Sequence, residues 1–283
     1  MSWLFAPAPV SRVAWLRVLA YLFVPVDVLL TTPWVAAHAH VPGALYQPLR
    51  IGRLLTLPTP GPWVQVLGVV LAAGGLLLAA AAARDHAPRV AGWLLATAYL
   101  QWMVVAMSYG KVDHDRFAFL VLLFVLPTAG RATLTDRSPS ESAGWALRLV
   151  ALAVVATYTL SALAKIRFGG LDWVDGATLT RAVVRRGTPL STPLLEHAWM
   201  LHVFQYVLLC MELLVAPLLL VQWRRPQVTW LLAAGFLGFH LMTFCMLTII
   251  FLPHCVALLA LLPLERLPDL RRAPAAALVP SPA

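Results

Sequence analysis

Charge is what this sequence lacks most. Asp, Glu, Lys and Arg make up 12% of the 283 residues while 61% are hydrophobic, against roughly 25% charged residues in an average soluble chain. A water-soluble fold cannot cover that much apolar surface with so few polar groups, which excludes a soluble globular domain of any size. Lysine is rarer still. The 21 basic residues include only Lys111 and Lys165, leaving the rest as arginine. A chain that prefers Arg this strongly makes each retained Lys a candidate for chemistry, because an ammonium can give up its proton in a suitable site and a guanidinium effectively cannot.

Other absences remove whole function classes. Cys210, Cys245 and Cys255 sit in apolar segments without metal-type spacing and read as buried structural thiols. Gly74 and Gly75 lie inside an apolar run with no Lys-Ser or Lys-Thr after them, so no phosphate loop is present. His38 and His40 are two apart in a Pro-rich stretch and the other histidines are scattered, so no metal site is expected. The net charge of +9 comes from arginines placed singly or in pairs between apolar runs. That pattern anchors helices against anionic lipid and does not predict nucleic-acid binding. There is no internal repeat.

What is present is long apolar runs. Windows such as Trp63–Ala83 and 229–252 have the length needed to cross a hydrocarbon layer of about 30 Å, which takes about 20 helical residues. They lack the alternation of barrel strands, and backbone in lipid must satisfy its own hydrogen bonds, so helices follow. The predicted fold class is all-α, a polytopic integral membrane helix bundle of about eight transmembrane spans. The spans fall near 12–31, 63–83, 89–107, 116–128, 145–163, 199–221, 228–251 and 253–264, the fourth and eighth being short. The first is not read as a cleavable signal peptide, since it is long and contains Asp27. Residues 1–270 form the predicted transmembrane domain, and the Ala- and Pro-rich tail 271–283 reads as disordered. Long connections at 32–62 and 164–198 share one side of the membrane. The short loops of the other side carry Arg84, Arg89, Arg131, Arg137, Arg224 and Arg225, with Arg271 and Arg272 in the tail. The positive-inside rule then predicts a multi-pass protein of the cell membrane with both termini in the cytoplasm.

Ionisable groups within a membrane are costly and rank first as functional candidates. Asp27, Glu212 and His240 fall within spans, and Lys165 and the cluster Lys111, Asp113, His114, Asp115 at span ends. Counting alternate spans puts Asp27, His114 and Lys165 near the non-cytoplasmic face, with Glu212 and His240 deeper. Gln205 and Glu212 are seven residues apart, about two turns, and share a helix face, as do Thr157, Ser161 and Lys165 at four-residue steps. Should those faces meet, the bundle holds a polar pocket capped by a lysine. The plainer alternative is that each polar group hydrogen-bonds a neighbouring helix, at about 1 kcal/mol per bond, while Lys165 snorkels to the headgroups.

The segment Tyr158–Leu179, YTLSALAKIRFGGLDWVDGATL, contains an aromatic, a small-residue turn, a lysine and then Trp-x-x-Gly. It resembles the signature of vitamin K-dependent gamma-carboxylases and their bacterial relatives in the HTTM (horizontally transferred transmembrane) family. Three further stretches agree in order: 13–30 with its internal Arg and Asp, 113–126 with His114 at its start, and 239–262 with His240 followed by Met242. The resemblance implies that Lys165 acts as the base taking a proton from a reduced quinone of the vitamin K or menaquinol type. It further implies that His114 assists and that His240 is another active-region histidine. On that reading Trp173 and Asp175 shape the mouth of a lipophilic pocket beside Gly176, and Gln205, Glu212 and His240 form its inner polar wall. A base needs a neutral amine, which an apolar pocket favours and which Arg cannot supply. The eukaryotic carboxylases follow their helices with a large extramembrane domain that binds the protein substrate. Here about twenty residues follow the last apolar run, so the expectation rests on the membrane half of the family. Expected partners are membrane lipid, a lipophilic small molecule, and a membrane or extracytoplasmic protein. Two other readings stand beside this one: a small-solute permease using the polar pocket, and a membrane subunit whose partner supplies the extramembrane domain.

Overall fold

The computed structural model describes residues 3–221 and 225–267, so the tail 271–283 and Arg224 lie outside the described residues. Among the described residues six helical stretches are long and apolar enough to cross a membrane: Val10–Thr31, Trp63–Ala83, Arg89–Met107, Glu141–Gly169, Thr192–Leu220 and Gln227–Leu247. Leu252–Leu261 is a shorter apolar helix. We label the main helices α1 (Val10–Val26, extended by a wide turn Asp27–Thr31), α2 (Trp63–Ala83), α3 (Arg89–Met107), α4 (Phe117–Val125) and α5 (Glu141–Gly169). They are followed by α6 (Asp172–Asp175), α7 (Thr178–Arg186), α8 (Ala198–Cys210, extended by a second wide turn Met211–Val215), α9 (Pro226–Leu247) and α10 (Leu252–Leu258). Large side chains exposed on their outer faces, among them Leu76, Leu77, Leu94, Leu160, Leu214 and Leu231, form an apolar perimeter suited to lipid.

The bundle is dense around α1 and open around α8 and α9. In α1 61% of the apolar window is buried, against 22% in the stretches containing α8 and α9. Gly75 of α2 meets α1 so closely that an added Cβ would lie 2.7 Å from Pro25 Cδ and 2.9 Å from the Tyr21 carbonyl oxygen. A larger residue there would push the two helices apart.

Each end of the bundle is closed by an ion pair. At one end Asp27, fully buried, accepts from Arg116 Nη1 at 2.7 Å to each oxygen and from Tyr99 Oη at 2.7 Å. Thr31 also donates to it. Asp27 therefore has a structural partner that the sequence did not show, and it joins α1, α3 and the start of α4. At the other end Arg12 meets Glu265 at 2.6 and 2.7 Å. The first N–H groups of α1, which have no partner within their own helix, donate to the carbonyls of Ser138 and Asp136. Beside them Ala8–Pro9 (β1) and Pro139–Ser140 (β2) form a two-residue antiparallel ladder, a small addition to the predicted all-α fold.

The predicted fourth and eighth spans are α4 and α10. Both are short for hydrocarbon, and both run between the two ends under cover of other helices. Residues just before α4 pair with Asp27, and residues just after it receive hydrogen bonds from Arg17 and Ser142 near the Arg12 end. Helix α5 extends well past its predicted limit, so Lys165 lies in its last turns, and most of the predicted long connection 164–198 is helical. Cys210 is exposed on the perimeter, contrary to its reading as a buried thiol, and Cys245 and Cys255 are half-buried.

Candidate functional site

Helix α5 stops at a glycine pair, and that stop positions the site. Gly170 has φ +61°, a left-handed conformation that favours glycine at a helix end. A Cβ on Gly169 would lie 2.8 Å from Trp173 Cβ. Without one, α6 folds back on α5, and Lys165 Nζ sits 5.0 Å from the centroid of the Trp173 ring, within cation–π range. The glycine pair thus lets the Trp of the Lys to Trp-x-x-Gly element lie against Lys165.

Lys165 Nζ donates to both oxygens of Glu212 at 2.5 Å. The two side chains are 21% and 10% exposed, so the pair is shielded from bulk solvent on most sides. Glu212 lies in the wide turn of α8, where it is buried while Leu214 faces outward. Both charges line a cavity of about 220 Å³ together with His114, Ser161, Trp173, Tyr158, His240 and His254. The remaining walls are mostly apolar, including Leu208, Phe239, Leu247 and Phe251. An adjoining apolar chamber of about 120 Å³ lies among Val183, Leu201, Phe204, Met211, Met242 and Met246, and it shares Leu179, Phe239 and Leu247 with the first. A larger outer recess of about 570 Å³ reaches Lys165, His114 and Trp173 between Phe117, Leu160 and Phe168. All three of those apolar side chains are exposed on the perimeter.

His114 stands in the turn before α4, with Nε2 3.5 Å from Ser161 Oγ. His114 is exposed by accessible surface yet crowded by neighbouring residues, and that desolvation, then the nearby Lys165 charge, lowers its pKa below the usual histidine value and favours the neutral imidazole. Deeper in the cavity Tyr158 Oη and His240 Nε2 are 2.7 Å apart. The ring of His254 meets Tyr158 edge-on with centroids 4.6 Å apart.

Of the predicted site residues, Lys165, His114, Trp173, Glu212 and His240 line one cavity. Gln205 and Asp175 do not. Gln205 accepts from the Leu179 N–H at 2.6 Å and donates to the carbonyls of Val174 at 2.5 Å and Gly176 at 3.0 Å. It braces the α6–α7 turn, engaging backbone groups that lack helical partners. Gln205 and Glu212 are both buried, but Gln205 spends its amide on the α6–α7 turn while Glu212 lines the cavity. Asp175 accepts from Tyr206 Oη on the exposed side of the turn. Sequence reasoning missed Tyr158 and His254. Tyr158 was visible at two turns before Lys165 on the same face, whereas His254, just after Pro253, falls at a predicted span edge. Among the described residues no three His, Cys, Asp or Glu side chains group as metal ligands.

The model of the HTTM domain matches residues 92–266. The chain belongs to the HTTM family. The match begins in α3 and ends just after α10, so it contains every cavity residue named above, while α1 and α2 precede it. No curated protein and no solved structure matches the chain. Within this HTTM bundle the site combines an amine, a carboxylate and a neutral imidazole at one end of a mostly apolar chamber. Such a chamber suits a ligand with a hydroxyl head and an apolar body, and its polar groups can hold and move a proton.

Proposed function

We propose that this HTTM protein binds a reduced quinone of the vitamin K or menaquinol type and takes a proton from its hydroxyl. Lys165 is the base and His114 its assistant, as in the vitamin K-dependent gamma-carboxylases the sequence resembles. The observation that carries this reading is the convergence of Lys165, Glu212 and His114 on one cavity whose other walls are largely aliphatic and aromatic. When bound, a quinol supplies an ionisable hydroxyl and reducing equivalents.

The chain's own part is proton handling. With Lys165 as an ammonium, its protons are directed at Glu212 and it is no base. Transfer of one proton to Glu212 leaves a neutral amine beside a carboxylic acid, with the pair's net charge unchanged. A low-dielectric site tolerates that form because neither group then carries an isolated charge. The amine can next accept the ligand's proton, leaving an ammonium beside the carboxylic acid and one extra positive charge on the pair. His114, near Ser161, donates its ring N–H to the oxygen of the same hydroxyl, which orients it and stabilises the negative charge left when the proton goes to Lys165. Trp173 covers the amine and limits water at the cavity mouth. The adjoining chamber lined by Met211, Met242 and Met246 takes the apolar tail.

The test uses the purified chain in lipid nanodiscs. Replacing Lys165 by Ala is expected to lower aerobic consumption of menaquinol by about 10²- to 10⁴-fold, the usual weight of a positioned base, while binding persists. Turnover untouched by the substitution would remove the mechanism.

A further inference from the structure

Three ring nitrogens in the depth of the cavity lack partners. Both nitrogens of His254 and Nδ1 of His240 make no hydrogen bond, and His254 is only 1% exposed. A buried polar atom left unsatisfied keeps the full penalty of losing its water, and buried polar groups are rarely left so. Local packing explains where the His254 ring sits but gives its nitrogens nothing to bond. The Tyr158 ring holds it edge-on at 4.6 Å, and the Tyr158 hydroxyl is already engaged by His240 at 2.7 Å. His254 lines the same cavity as Lys165.

We propose that His254, steadied by the Tyr158–His240 pair, is a second polar station that receives an oxygen on the far side of the ligand ring from Lys165. The cavity would therefore select a ring with oxygens at opposite positions, a hydroquinone, over a lipid carrying a single hydroxyl. This rests on the quinol reading above. Tyr158 and Lys165 share a face of α5 and are seven residues apart, about 10 Å along the axis. A six-membered ring with hydroxyls on opposite carbons can be hydrogen-bonded at both ends, with Lys165 at one and His254 at the other, since both line this cavity. The polar stations fix the ring, and the adjoining apolar chamber, which carries no charged side chain, receives the tail.

The experiment compares anaerobic binding of menadiol, which has two ring hydroxyls, with the matching methylnaphthol, which has one. Quenching of tryptophan fluorescence in nanodiscs is the readout. The wild-type chain is expected to bind menadiol about tenfold more tightly, the effect of one hydrogen bond worth about 1.4 kcal/mol. His254→Phe is expected to erase that preference and His254→Gln, which keeps a polar side chain, to retain part of it. Equal wild-type binding of the two compounds would overturn the second station and leave the quinol reading standing, a water then satisfying His254. Binding of neither would overturn both. An undiminished preference in a His254→Phe protein that melts like wild type would also overturn the proposal. If that variant does not fold, His254→Gln and the wild-type comparison decide the matter.

Discussion

At the scale of single residues, environment separates four ionisable groups that composition alone treats as equals. Asp27 is fully buried but has Arg116, Tyr99 and Thr31 around it, so it serves the fold. Glu212 has Lys165 and a cavity beside it, so in the proposed reading it exchanges a proton with the lysine. His114, exposed by accessible surface, has its pKa lowered by desolvation from neighbouring residues and by its cationic neighbour. Asp115, next to it in the turn before α4, supplies a measurable consequence. Burial pushes its carboxyl up to about 6 from an ordinary 3.8, with Arg116 opposing. The folded protein holds that proton more tightly than the unfolded chain, so the associated stability is present at about pH 4 and is lost as pH rises through about 6. At ~1.4 kcal/mol per pKa unit the loss is about 3 kcal/mol. Asp115→Asn, which mimics the protonated acid, is expected to melt like wild type at about pH 4 and above it at about pH 7.5. A melting difference between the two proteins that is the same at both pH values would contradict this assignment.

At the scale of elements, the α5–α6–α7 corner decides where the lysine points. Gly169 and Gly170 allow the reversal, Trp173 lies over Lys165, and Gln205 of α8 fastens the turn through three backbone partners. Gln205→Leu removes those bonds without opening a large void. It is expected to destabilise the protein by about 2–3 kcal/mol, at about 1 kcal/mol per bond. It should also speed amide exchange over residues 172–179 while leaving α1 unchanged. Exchange rates there equal to wild type would show that the corner holds without Gln205. Much of this was legible in the sequence. Apolar runs gave the long helices, and four-residue spacing put Thr157, Ser161 and Lys165 on one face. Three things were not legible, each for a physical reason. The wide turns after Pro25 and Cys210 change helical register for the residues that follow them, which spacing alone does not show. Ion pairs such as Asp27–Arg116 depend on which helices become neighbours. His254 sits at the start of a short covered helix, where hydropathy distinguishes poorly between a span and a loop.

At the scale of the whole molecule, the Arg12–Glu265 pair brings the first and last described helices together at one face, and Asp27–Arg116 and Lys165–Glu212 gather toward the other. The two short helices make this possible because α4 and α10 cross between the faces inside protein, where hydrocarbon length is not required. The Arg12 face also carries Arg84, Arg89, Arg131, Arg137 and Arg225 in short connections, and the positive-inside rule assigns such a face to the cytoplasm. The cavity would then open toward the extracytoplasmic half of the bilayer. Single cysteines can test this in a chain whose Cys210, Cys245 and Cys255 are replaced. Lys111 and Arg131 are both exposed and stand at opposite faces. Lys111→Cys is expected to react with a membrane-impermeant maleimide on intact cells, and Arg131→Cys only after permeabilisation. The reverse result would turn the bundle over and move the cavity mouth to the cytoplasmic half. Labelling of both from outside would contradict the two-faced arrangement itself, because the chain would no longer place the His114 end and the Arg131 end of α4 on opposite sides of the membrane.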